Sequence, residues 1–180
     1  MSYCEFTKDL ADDHLDKKYH DEIYGFPVIA DNELFGRLIL EINQAGLNWS
    51  TILKKESHFR RAFDDFAIEK IALYGEKDIE RLLNNSGIIR NKLKIAAVIY
   101  NAKQVILIQS EFDSFYNWLY KHKGLSLKEW TLLFRKHFKF VGTKIVEEFL
   151  MSIGFLKGAH EISCPIYSRI LKHKPLWLNY

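Results

Sequence analysis

The sequence predicts an all-α protein, on three observations. Apolar residues recur at helical spacing along nearly the whole chain. Period-two stretches bounded by turn signals, which would argue for strands, are missing. There are only 3 prolines and 9 glycines in 180 residues, with no low-complexity linker and no internal repeat, so the connections between helices should be short. The chain is 48% hydrophobic and 14% aromatic, enough to bury a core without disulfides, and its length suits one unit spanning residues 1–180.

The elements follow in order. Asp31 can cap a helix whose face runs Leu34, Leu38, Glu41, Ala45. Asn48 can cap the next, which carries Trp49, Ile52 and Leu53. Asp78 to Leu83 reads as a helix and Asn91 to Leu107 as a longer one. Phe112 to Tyr120, Ser126 to His137 and Thr143 to Ile153 complete the set.

Composition excludes some classes of function. No apolar run approaches the roughly 18 residues that suggest a membrane span. The start, MSYCEFTKDLADD, is acidic and lacks the basic-then-apolar order of a signal peptide, so a cytoplasmic protein is expected. The two cysteines, Cys4 and Cys164, should there be thiols or metal ligands rather than a disulfide. Charge is uneven. Residues 1–50 hold four Lys/Arg against ten Asp/Glu, a net of −6, which leaves +9 for the rest of a chain of net charge +3. That asymmetry permits a polyanionic partner for the later part.

Three constellations carry chemistry. The segment 82–95 reads as a helical hairpin in which Gly87 ends one helix in the left-handed conformation. Ile88 and Ile89 plug the elbow, and Asn91 caps the second helix. Free N–H groups and a helix N-terminus there could hold a phosphate, with charge added by Arg90, Lys92 and Lys94. An ordinary helix–helix connection is written the same way. Glu41 falls on the apolar stripe of its helix, where a carboxylate needs a partner. A lysine or arginine satisfies that need; so does a ligand pocket, and Tyr19, Tyr24 and Trp49 are nearby aromatics suited to a flat cationic heterocycle. His160 and Cys164 are spaced i, i+4 and could share a metal with Cys4 and His20 in a closed Cys₂His₂ site, although buried free thiols fit the spacing as well.

Taken together, the chain resembles the 3-methyladenine DNA glycosylase I family of the helix-hairpin-helix DNA glycosylase superfamily. The resemblance is carried by Tyr19-His20-Asp21, by Leu40 through Trp49 with Ile52 to Lys55, by Ser86 through Arg90 with Lys94-Ile95, by Phe138 through Thr143, and by His160 and Cys164. It implies a bacterial, monofunctional base-excision repair enzyme that hydrolyses the N-glycosidic bond of 3-methyladenine in alkylated double-stranded DNA, acting as a monomer. It implies the helix-hairpin-helix glycosylase fold, with the N- and C-terminal segments tied by one structural zinc on Cys4, His20, His160 and Cys164. Glu41 matches the glutamate that reads the adenine edge. Tyr19 and Trp49 match aromatic walls, and Tyr24 and Phe6 stand where the family usually has tryptophan. Gly87, Ile88, Ile89, Arg90, Asn91 and Lys92 match the DNA-binding hairpin. No aspartate lies between Gly87 and Ser110, where much of the superfamily keeps one to stabilise the sugar cation. The chain departs from the pattern at Asp16, where a pocket tyrosine is usual, at Ile42 for a glycine and at Asn43 for a glutamine. A non-catalytic lesion binder that keeps the fold is the alternative, and a lyase using Lys92 is a third reading.

Overall fold

A computed structural model describes residues 2–179, and every regular element among them is helical. The α-helices are α1 (Tyr3–Lys8), α2 (Leu15–Glu22), α3 (Asp31–Gln44), α4 (Trp49–Ala62), α5 (Ile68–Ala72), α6 (Glu76–Leu83), α7 (Lys92–Phe112), α8 (Phe115–Lys121), α9 (Leu127–His137), α10 (Thr143–Ser152) and α11 (Pro165–Lys172). Short 3₁₀ turns lie at Asp64–Phe66 and Leu176–Asn179. None of the described helices is long and apolar enough to cross a membrane.

Helix α3 is the axle. Every residue from Leu34 to Asn43 is buried, because α4, α7, α8 and α10 all pack around it. The apolar stripe read from the sequence is therefore only part of its buried surface. α7 is likewise apolar around much of its girth and lies against α5 and α6. An aromatic core of Phe35, Phe59, Phe115, Trp118, Trp130, Phe134 and Phe149 fills the space between these helices.

Capping follows local chemistry with one exchange. Asn91 caps α7, accepting from the N–H groups of Leu93 and Lys94, and Ser126 with Glu129 forms a capping box on α9. Asp31, expected to cap α3, is instead its first residue, after Ala30. Its carboxylate accepts from the backbone N–H groups of Phe115 (2.7 Å) and Tyr116 (3.0 Å) and so serves the start of α8. Phe112 belongs to α7, not to α8, since the left-handed Asp113 ends the longer helix. The helices α1, α2, α5 and α11 are additions to those read from the sequence.

Residues Asp64, Asp65 and Phe66 all take positive φ (50°, 54° and 61°), a left-handed turn made without glycine. It swings Phe66 onto α3, where Gly36 leaves room: a Cβ on Gly36 would come within 2.3 Å of the Phe66 ring.

Candidate active site

A cavity of about 240 Å³ opens between α1, α2, α3, α4 and α10. It is lined by Tyr3, Tyr19, Tyr24, Glu41, Gln44, Trp49, Lys144 and Glu148. Its size is just below the range of drug-sized pockets and suits a single heterocycle. The aromatic rings meet at angles: Tyr19 and Trp49 centroids are 5.0 Å apart at 54°, and Tyr3 meets Tyr24 edge-on at 5.8 Å.

Glu41, near the C-terminal end of α3, is 5% exposed, and no described residue hydrogen-bonds its carboxylate. Burial, with the charge of Glu148 adding to it, pushes its pKa up to about 8, against opposing pulls from Arg37 and Lys144. Arg37, one turn earlier, does not pair with Glu41; its Nε donates to Glu33. Glu148, on α10, is held at both ends. Tyr24 donates its hydroxyl proton to one oxygen (2.8 Å), and Lys144 pairs with the other (2.8 Å).

Tyr19, Tyr24 and Trp49, expected in the pocket, all line this cavity with Glu41. Phe6, expected beside them, does not. It is 42% exposed and stacks on Tyr3 at 6.1 Å from outside the lining. Tyr3 takes the wall position because α1 turns Tyr3 and Thr7 inward, which leaves Phe6 on its flank. Asp16 is not a wall either. It is buried, with the Tyr3 hydroxyl shared between its backbone carbonyl (3.1 Å) and its carboxylate (3.2 Å) and the Ser50 hydroxyl donating to that carboxylate (2.9 Å). Sequence reasoning missed Tyr3, Gln44, Lys144 and Glu148. The i, i+4 pair Lys144/Glu148 on a helix opening after Phe138–Gly142 was the available signal. Asn101, buried in α7, fixes that opening by pairing with both backbone groups of Lys139 (2.8 and 3.0 Å).

Cys4, His20, His160 and Cys164 come together although 156 residues separate Cys4 from His160, and their four ligand atoms lie within 4.8 Å of one another. The sulfur-to-nitrogen distances are 3.3, 3.7, 3.7 and 3.8 Å. Bond lengths near 2.3 Å to sulfur and 2.0 Å to nitrogen give a tetrahedral edge of about 3.5 Å, so the donor set fits zinc. The tautomers fit too. His160 Nε2 lies 2.8 Å from the Tyr24 carbonyl and His20 Nδ1 lies 2.6 Å from the Asp21 carboxylate. Each partner is an acceptor, so each of those nitrogens carries the proton and the other ring nitrogen turns its lone pair to the cluster. Burial pushes His160 down to about 4, which keeps it neutral. His160 and Cys164 sit on an irregular turn rather than the expected helical turn, and Cys164 caps α11.

The hairpin is built differently from expectation at two points. Helix α6 ends at Leu83 with Asn84 as its cap, and Gly87 does not take positive φ. What fits Gly87 to its place is close approach, since a Cβ there would sit 2.8 Å from the His58 ring. Lys94 is 5% exposed and makes no outward contact. Its ammonium donates to the carbonyls of Asn43 (2.8 Å) and Ala45 (2.7 Å), closing the C-terminal end of α3. Ile88 is buried and Ile89 packs against the core, whereas Arg90 and Lys92 are exposed. Lys92 is not among the residues that line the cavity. A second hollow, lined by Thr51, Lys54, Lys55, His58, Ser86 and Gly87, runs along the hairpin.

Known proteins match this arrangement. The methyladenine glycosylase family profile matches residues 9–131. The chain is 32% identical to DNA-3-methyladenine glycosylase 1 of Escherichia coli (strain K12) over 177 residues, covering 88% of this chain and 94% of that one. It is 31% identical to DNA-3-methyladenine glycosylase of Haemophilus influenzae over 166 residues, covering 82% and 89%. Among solved structures, a tyrosine-to-phenylalanine variant of 3-methyladenine DNA glycosylase I in complex with 3-methyladenine superposes with a TM-score of 0.83 at 29% identity, over 92% of this chain and 97% of that one. The Staphylococcus aureus enzyme, solved to explain 3-methyladenine recognition, gives 0.78 at 30% identity, over 87% and 93%. The alternative of a non-catalytic lesion binder is not favoured by these likenesses.

Proposed function

This chain belongs to the methyladenine glycosylase family and is a DNA glycosylase, a hydrolase of N-glycosyl bonds, and from that premise we propose how its own residues recognise and release 3-methyladenine from alkylated double-stranded DNA. The observation that carries the reading is Glu41, a buried carboxylate with no hydrogen-bond partner among the described residues, set among the rings of Tyr3, Tyr19, Tyr24 and Trp49.

Methylation of adenine N3 gives the nucleotide a positive base and a weakened bond to deoxyribose. Little acid catalysis is then needed, and the enzyme's work is extrusion and recognition of the base, at a cost of a few kcal/mol for unstacking. The ring stacks on the aromatic walls, which favour a cation. The exocyclic amino group donates to Glu41, and the incoming positive charge favours the ionised form of that carboxylate. As the C1′–N9 bond breaks, its electron pair returns to the ring and neutralises it. Water bonds to C1′ and gives its proton to solvent, leaving free base and an abasic sugar. The chain has no aspartate between Gly87 and Ser110 to support the sugar cation, so the good leaving group carries that burden. Nothing favours lyase chemistry at Lys92.

The hairpin is the phosphate-facing element in this reading. The Asn91 side chain uses the Leu93 and Lys94 N–H groups, which leaves those of Ile89, Arg90 and Lys92 without a partner among the described residues. Arg90 and Lys92 add charge. Cys4, His20, His160 and Cys164 hold one zinc ion, which supplies cross-linking rather than chemistry because four protein ligands leave no open position. Each of three pocket walls is tied to a ligand: Tyr3 precedes Cys4, Tyr19 precedes His20, and the Tyr24 carbonyl orients His160.

The test is chromatographic release of free base from methylated duplex DNA by the purified protein. Free 3-methyladenine is the expected product. Absence of any released base from a folded, DNA-binding preparation sinks the reading.

A further inference from the structure

The cavity holds a carboxylate that the reading above does not use. We propose that Glu148 is a specificity-determining residue, a second negative group on the pocket wall that selects positively charged bases over neutral ones. The inference rests on the proposed function of the pocket.

Glu148 lines the same cavity as Glu41, from α10, which packs against α3. Its geometry is that of a fixed group. One oxygen accepts the Tyr24 hydroxyl proton at 2.8 Å, and the other pairs with Lys144 at 2.8 Å. A carboxylate pinned at both oxygens loses little freedom when a ligand arrives. The Tyr24 bond also sets the edge of an aromatic wall, so one residue fixes both the ring and the potential in front of it.

The charges around the cavity do not cancel Glu148 fully. α3 contributes Glu41 and Arg37; the Nε of Arg37 donates to Glu33, its Nη1 is buried without a partner among the described residues, and its charge opposes that of Glu148 at Glu41. α10 contributes Lys144, which is 74% exposed in its side chain and shared between Glu147 and Glu148. The remaining ionisable walls are Tyr3, Tyr19 and Tyr24, whose phenols burial keeps protonated. A solvated, divided lysine screens the buried face of Glu148 only in part. That the field of Glu148 reaches the floor of the pocket is consistent with its upward pull on Glu41. A neutral adenine gains little from a second carboxylate beside Glu41. An adeninium ion gains from both.

The experiment measures binding of two probes by quenching of tryptophan fluorescence at constant pH and salt. One is neutral adenine; the other is an adeninium ion whose charge is fixed by methylation on both N3 and N9. Glu148→Gln keeps an oxygen for the Tyr24 hydroxyl, removes the charge and ends the pairing with Lys144. It should weaken the cation by on the order of tenfold and leave adenine within about twofold. Lys144→Ala, at an exposed side chain, uncovers the Glu148 charge and should move the cation-to-adenine ratio the other way. Equal loss of both probes in Glu148→Gln, or no loss of either, overturns the proposal, as does a ratio that falls or stays level in Lys144→Ala. Base release by the wild type is a separate measurement. Its failure would count against the proposed function while the probe ratios still decide the role of Glu148.

Discussion

At the scale of single residues, Glu41 is the test case, because its burial costs stability that its chemistry needs. An ordinary glutamate titrates near 4.5, and this one is pushed up to about 8 by burial and by Glu148. Because the folded value lies above the unfolded one, the unfolded chain gives up its proton first as pH rises. The contribution of Glu41 is therefore most favourable below about pH 4.5 and is lost as pH rises through 8. Glu41→Gln removes that dependence. The variant should melt higher than the wild type above pH 8, with the gap closing towards pH 5, as read by thermal unfolding across buffers. It should also lose about a hundredfold in base release, the scale of removing one group that favours the transition state. A variant that releases base at the wild-type rate would exclude Glu41 from recognition. Tyr3 is a second residue-level case. Tyr3→Phe leaves the Asp16 carboxylate with the Ser50 hydroxyl but without its phenol partner. Loss of one such hydrogen bond costs about 0.5–1.5 kcal/mol. Urea unfolding should show that loss, together with weaker binding of 3-methyladenine as the ring gains freedom.

At the scale of elements, two segments do something their neighbours in sequence do not disclose. The turn Asp64–Phe66 stores left-handed strain in order to seat Phe66 against Gly36. Each non-glycine residue in that conformation costs roughly 1–2 kcal/mol, less for aspartate, and glycine escapes it at an entropic cost in the unfolded chain. Asp65 is exposed, so Asp65→Gly should raise stability by about 0.5–1 kcal/mol, or about 1–4 °C in Tm for a chain of this size. A lower Tm would mean that the Asp65 side chain matters more than its backbone. The hairpin is the other segment. Arg90→Ala or Lys92→Ala should weaken damaged and undamaged duplexes alike and reduce the slope of log affinity against log salt by about one per lost phosphate contact. A loss confined to damaged DNA would place these residues in base recognition instead. Lys94→Ala should behave differently from both, because Lys94 closes the end of α3 and thereby the Gln44 lip of the cavity. Its effect belongs to stability and base affinity rather than to the salt slope.

At the scale of the whole molecule, the Cys₂His₂ cluster joins α1, α2 and the segment before α11 into one clip around the aromatic walls. Closing so long a loop removes much freedom from the unfolded chain. Chelation, or Cys164→Ser, should lower Tm and weaken 3-methyladenine binding together, and elemental analysis should find close to one zinc per chain. Full activity and an unchanged Tm in metal-free protein would remove zinc from the account. The sequence by itself determined what depends on nearest neighbours along the helix. That covers the all-helical class, the cap at Asn91, the approximate extents of the longer helices, and Glu41 as an anomalous acid on an apolar face. The residues themselves offered Cys4, His20, His160 and Cys164 as one possible metal set and Tyr19, Tyr24 and Trp49 as aromatics near Glu41, and the resemblance favoured those readings over the ordinary structural ones. What only the tertiary structure decided depends on groups that meet across the fold. Asp31 serves another helix, Lys94 turns inward to α3, Tyr3 rather than Phe6 faces the cavity, and Glu148 joins Glu41 from a helix more than a hundred residues later. Helical periodicity reports which face of an element is buried. It does not report which partner buries it, and the chemistry of this pocket is set by the partner.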